Sequence, residues 1–163
     1  MGTDAIQVPR ADRPGPHLIL YDGSCGLCHG FVRFVLPRDP EGRFHFAAQQ
    51  GTAATPYLAR FGGEHPGLST VYLITDYTQD QGRCLVKARA AIDVLAALGW
   101  PWRLASVLTL LPTAWLDWSY DQIARNRHRV AGRRDSCLMP RAEHRDRFLD
   151  HPANTTRRTS DRL

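Results

Sequence analysis

The sequence predicts an α/β domain with element order β-α-β-α-β-β-α around a mixed four-stranded sheet, followed by an added C-terminal helical segment. Three observations predict it. The apolar run His17–Tyr21 (HLILY) stops at Asp22-Gly23, as a buried strand ended by a turn does. From Cys25 to Leu36 the apolar residues recur at i, i+3 and i+4 until Pro37 halts them, which is the pattern of a helix. Residues 70–75 (TVYLIT), rich in β-branched and aromatic side chains, meet a polar turn and then Arg83–Val86, so these two runs predict an antiparallel hairpin.

The remaining elements fill the gaps. Residues 43–47 (RFHFA) alternate and read as the second strand. Thr55–Phe61 carries Pro56 at a first helical position and Gly62-Gly63 as a stop, so a short helix is predicted. Residues 88–98 (ARAAIDVLAAL) are strong helix formers ended by Gly99. The first two strands, joined through a helix, should be parallel with a right-handed crossover. This is the element order of the thioredoxin-like fold. Residues 1–16 read as a flexible arm, 17–140 as one domain that includes C-terminal helices at 101–134 broken by Pro112, and 141–163 as a polar tail. Trp100, Trp102, Trp115 and Trp118 are expected to serve as core or interhelix packing.

A chain of 163 residues can bury roughly 70% of its unfolded surface in one core. The composition, 43% apolar and 23% charged, excludes a mostly disordered or fibrous protein. The most apolar stretch, residues 104–116, is broken by Pro112 and falls short of the ~20 residues a membrane span needs. Four cysteines are too few for a disulfide scaffold. The net charge of +5 comes almost wholly from arginine, Lys87 being the sole lysine, and favours anionic partners mildly without implying nucleic-acid binding. Residues 1–16 have no apolar core and so do not read as a signal peptide; the expected compartment is the cytoplasm, where thiols stay reduced.

The sharpest signal is Asp22-Gly-Ser-Cys25-Gly-Leu-Cys28 at the junction of the first strand and the first helix. Residues i and i+3 share a helix face, so two sulfurs so spaced can close a disulfide across one turn. A cysteine at the first turn meets unpaired N–H groups and the positive end of the helix dipole. That field contributes about 0.3–1 kcal/mol, or ~2 where partly buried, against about 1.4 kcal/mol per pKa unit, so it favours an exchange-competent thiolate with no other cation nearby. Cys25 is then the nucleophile and Cys28 the resolving thiol. Asp22 either simply makes the turn or also takes the Cys28 proton. Zinc binding and two inert buried thiols are the alternatives, although no second C-x-x-C or His pair completes a zinc set. The exchange reading needs a helix that begins at Cys25 and a pair that solvent can reach.

Asp22-x-x-Cys25-x-x-Cys28 after an apolar strand resembles the signature of the DCC family of thiol-disulfide oxidoreductases, named for those three residues. Lys87-Ala-Arg-Ala-Ala, Leu98-Gly-Trp-Pro-Trp-Arg-Leu104, the run from Asp121 to Arg129 and Arg134-Asp-Ser-Cys137 also look like that family's later segments. The resemblance spans roughly Leu18 to Pro140. It implies a thioredoxin-like fold and dithiol/disulfide activity on a protein or small-molecule substrate, with no defined substrate. The sequence departs from thioredoxins proper in two places: Ser69-Thr70 stand where those place a cis-proline, and Gly26-Leu27 separate the cysteines.

Other residues are weighed against plainer roles. Cys137, with Arg133 and Arg134 close by, could be a third redox thiol or an inert one. Cys84 reads as core, His29 as exposed, and the arginines from Arg125 to Arg134 as a solvated face or a contact for an anionic partner. The reading is a thiol-disulfide oxidoreductase that uses Cys25, Cys28 and Asp22, with no cofactor, no metal and no specific nucleic-acid partner. The alternative is a redox-inert module that binds a protein or an anion.

Overall fold

The computed structural model describes residues 16–61, 70–78, 82–132 and 142–150. Its strands are β1 (His17–Tyr21), β2 (Phe44–Ala48), β3 (Tyr72–Thr75) and β4 (Arg83–Val86). Its α-helices are α1 (Gly26–Val35), α2 (Thr55–Phe61), α3 (Lys87–Ala97) and α4 (Thr113–Ala131), with 3₁₀ segments at Leu36–Arg38, Trp102–Leu110 and Ala142–Arg147. The sheet order is β2-β1-β3-β4, with β1 parallel to β2 and the other two pairs antiparallel. This is the mixed four-stranded sheet that the element order predicts, consistent with a thioredoxin-like fold.

β1 lies inside the sheet with all five residues buried, which is why its sequence is continuously apolar rather than alternating with charge. The two-residue period still sorts its side chains. Ile19 and Tyr21 face a core shared with Val32, Val35, Phe46, Leu73, Ala90 and Val94, beneath α1 and α3. Leu18 and Leu20 face the opposite core with Ala47, Tyr57, Tyr72 and Ile74, beneath α2. Cys25 and Cys28 belong to the α1 face.

Three expectations need correction. Residues 142–150, assigned to the polar tail, are packed. Phe148 stacks on Phe46 with ring centroids 5.3 Å apart, and the Leu149 N–H donates to the Phe46 carbonyl at 2.9 Å, covering the edge of β2. Gly51 leaves room for the Asp150 carboxylate, with which a β-carbon there would collide. Secondly, Trp100, Trp115 and Trp118 are exposed; only Trp102 packs, edge-on against Phe34 at 4.7 Å. The C-terminal segment does pack on the first module, but it turns much of its apolar surface outward. Thirdly, His29 is buried, its ring edge-on to Tyr21 at 5.9 Å.

The C-terminal segment is anchored by charge as well as by rings. Asp39, fully buried, accepts the Phe44 N–H at 2.9 Å and the Arg43 N–H at 3.2 Å, and pairs with the Arg147 guanidinium. Arg147 also donates to the Phe44 carbonyl at 3.0 Å. Removing one partner of a buried pair strands the other charge, so Arg147→Ala should cost about 3 kcal/mol in urea unfolding. An unchanged midpoint would mean that the segment contributes nothing to the fold.

Candidate functional site

The site begins where β1 stops. Asp22 Oδ1 accepts three hydrogen bonds: from the Ser24 N–H at 2.9 Å, the Ser24 hydroxyl at 2.7 Å and the Gln50 side-chain amide at 2.9 Å. The carboxylate therefore makes the turn, as Asp-Gly predicts, and ties it to the end of β2. Gln50 closes the clasp by accepting the Gly23 N–H at 3.0 Å. Asp22 itself is buried.

Held this way, the chain enters α1 at Gly26 with Cys25 as its extended N-cap residue. The Cys25 carbonyl accepts the His29 N–H at 3.0 Å, closing the first turn, and Cys28 lies on that turn. No side chain caps the helix. The Gly26 N–H instead donates to the carbonyl of Gly132, 3.3 Å away, at the end of α4. Gly132 has φ of +70°, a left-handed conformation that glycine adopts freely at a helix end.

Both cysteines carry free thiols. Burial pushes the Cys28 thiol up to about 12, and the neighbouring Cys25 adds to this by its charge and by a side-chain hydrogen bond. A backbone hydrogen bond at Asp22 works in the opposite direction, while the Asp22 charge opposes Cys28 ionisation. Cys28 thus keeps its proton at neutral pH.

Of the two conditions set by the motif, the structure meets one. A helix does begin at Cys25. The pair, however, does not face bulk solvent: Cys25 has 0% relative exposure and Cys28 6%, the reverse of the expected order. The cover is α4, whose final carbonyl sits on the first N–H of α1. Between α1 and α4 lies a half-open cavity of about 520 Å³, lined by Cys25 and Cys28, by Leu27, Phe31 and Phe34 of α1, by Val71 just before β3, by Ala91 of α3, and by Tyr120, Ile123 and Ala124 of α4. The Tyr120 hydroxyl accepts the Val71 N–H at 3.1 Å, and Lys87 pairs with Asp121 at 3.2 Å, so α4 is tied to β3 and α3 as well.

The sequence reading missed Gln50, Tyr120 and Gly132. Cys84 lies half-buried in β4, and burial pushes its thiol to about 11. Arg125 is exposed and donates to the Asp121 carbonyl one turn back at 3.3 Å, as a solvated helix face does. Cys137, Arg133 and Arg134 lie outside the described residues. Among the described residues no group of three His, Cys, Asp or Glu side chains could hold a metal ion, and no helix is long and apolar enough to cross a membrane.

No solved structure matches the chain. Among curated proteins, the uncharacterised protein YuxK of Bacillus subtilis is 33% identical over 132 residues, covering 81% of this chain and 93% of that protein. A chloroplastic DCC family protein of Arabidopsis thaliana is 32% identical over 123 residues, covering 75% of this chain and 69% of that one. The family model described as DCC1-like thiol-disulfide oxidoreductase matches residues 19–133, a stretch that holds Asp22, Cys25, Cys28 and the α4 cover. The chain therefore belongs to the DCC1-like thiol-disulfide oxidoreductase family.

Proposed function

We propose that the protein exchanges thiols and disulfides through Cys25 and Cys28. The observation that carries this reading is the placement of Cys25 at the start of α1, with the Cys28 thiol on the first turn of that helix beside it. The Cys25 thiolate attacks one sulfur of a disulfide, forming a mixed disulfide and expelling one thiolate, which takes a proton from water. Cys28 then loses its proton and attacks the Cys25 sulfur, expelling the second thiolate and leaving the Cys25–Cys28 disulfide. Two electrons pass from the dithiol to the substrate, and two protons follow. Asp22, which sits close enough to oppose Cys28 ionisation, accepts the proton in that second step. Exchange requires the end of α4 to lift from α1, because Cys25 is covered when the Gly26–Gly132 hydrogen bond is made. A reduced resting pair suits a cytoplasmic setting.

The rival reading, a redox-inert binding module, is favoured by one observation, the full burial of Cys25. Trapping separates the two. Cys28→Ser protein incubated with 2-hydroxyethyl disulfide should carry a single adduct on Cys25 by peptide mass spectrometry, and Cys25→Ser should carry none at either position. An unmodified Cys25, or an adduct only on Cys84 or Cys137, overturns the exchange reading.

Asp22→Asn should slow resolution of the mixed disulfide by tenfold or more while leaving the first attack nearly unchanged, as stopped-flow traces of the two phases would reveal. Equal slowing of both phases would reduce Asp22 to its turn-making role. The raised Cys28 value also has a stability consequence. The unfolded chain ionises near the ordinary value of 9.0, whereas folded Cys28 holds its proton to about 12. The reduced protein should therefore lose stability as pH rises from about 9 towards 12, and Cys28→Ser should flatten that slope. An identical slope in the variant contradicts the burial account.

A further inference from the structure

We infer that the cavity beside Cys25 and Cys28 selects a small uncharged aliphatic disulfide as substrate, over charged disulfides of similar reactivity. This inference rests on the exchange reading and adds the substrate class to it.

The cavity's volume, about 520 Å³, falls within the range of small-molecule sites. Cys25 and Cys28 are both lining residues, Cys28 with a little of its surface open and Cys25 with none, so an occupant sits beside the reactive pair and reaches the Cys25 sulfur only once that residue is uncovered. Its described lining contains no charged side chain. Apart from the two thiols, the polar side-chain group in the described lining is the Tyr120 hydroxyl, whose oxygen accepts the Val71 N–H. Phe31, Phe34 and Ile123 supply the broad apolar faces.

Such walls discriminate by desolvation. A disulfide with carboxylates or ammonium groups, such as glutathione disulfide, loses water on entry and finds no counter-charge. An aliphatic disulfide with an amide or hydroxyl end gains by burying its carbons and can leave its polar end at the mouth. The chemistry is balanced as above: the cyclic or linear disulfide is reduced to two thiols as Cys25 and Cys28 become a disulfide.

The test compares oxidised lipoamide, oxidised lipoate and glutathione disulfide as oxidants of the reduced protein, each rate divided by that disulfide's rate with free dithiothreitol. The expected order is lipoamide, lipoate, glutathione disulfide, with at least a tenfold span from first to last. Ala124→Phe, which fills the cavity from α4, should slow lipoamide at least tenfold and glutathione disulfide little. Ile123→Arg, at an exposed position that tolerates charge, should narrow the span by raising the relative rate of glutathione disulfide. If none of the three disulfides oxidises the Cys25–Cys28 pair, the exchange reading itself fails, and this inference with it. If all three do so at equal normalised rates, or if both variants leave the ratios unchanged, exchange stands and the selective cavity is refuted.

Discussion

One carboxylate oxygen organises the site. Asp22 Oδ1 gathers the Ser24 N–H, the Ser24 hydroxyl and the Gln50 amide, and so converts the end of a buried strand into a turn of fixed shape. The start of α1 follows from that turn, and the position of both sulfurs follows from the start of α1. A turn one residue longer would rotate Cys25 and Cys28 by about 100° around the helix, away from the cavity and from Val71.

The same geometry explains why the two sulfurs differ. Desolvation and a neighbouring sulfur hold the proton on Cys28, so the pair carries at most one negative charge at neutral pH. With α4 packed beside the pair, Cys25 has no direct access to bulk solvent. Among the described residues, polar ties of α4 are a backbone hydrogen bond at Gly132, the Tyr120 hydroxyl at Val71 and the half-exposed Lys87–Asp121 pair. An exposed pair of this kind contributes about 0–1 kcal/mol.

Much of the fold was legible because its signals are local. The bounds of β1, α2 and β4 coincide with the expected ones, since Asp22-Gly23, Pro56 and the polar turn before Arg83 each act within a few residues. The break at Pro112 falls between the 3₁₀ segment and α4, again for a local reason. What escaped depends on partners distant in sequence. Asp39 and Arg147 meet across 108 residues, and Phe148-Leu149 is too short a run to show any period. The tryptophan pattern gives helices, but not which of their faces finds a neighbour. In the site, the C-x-x-C pair and Asp22 announced themselves by type and spacing. Gln50, Tyr120 and Gly132 have no type-specific signal, and a cavity is a gap between elements that no spacing encodes.

The account stands on Cys25 and Cys28 behaving as one dithiol/disulfide couple. Equilibrating the protein in glutathione buffers across a range of potentials, followed by acid quench and peptide mapping, measures this directly. A single two-electron transition with the disulfide joining Cys25 to Cys28 is the predicted result. A pair that stays reduced at every potential, or a disulfide that forms through Cys84 or Cys137 instead, would contradict it.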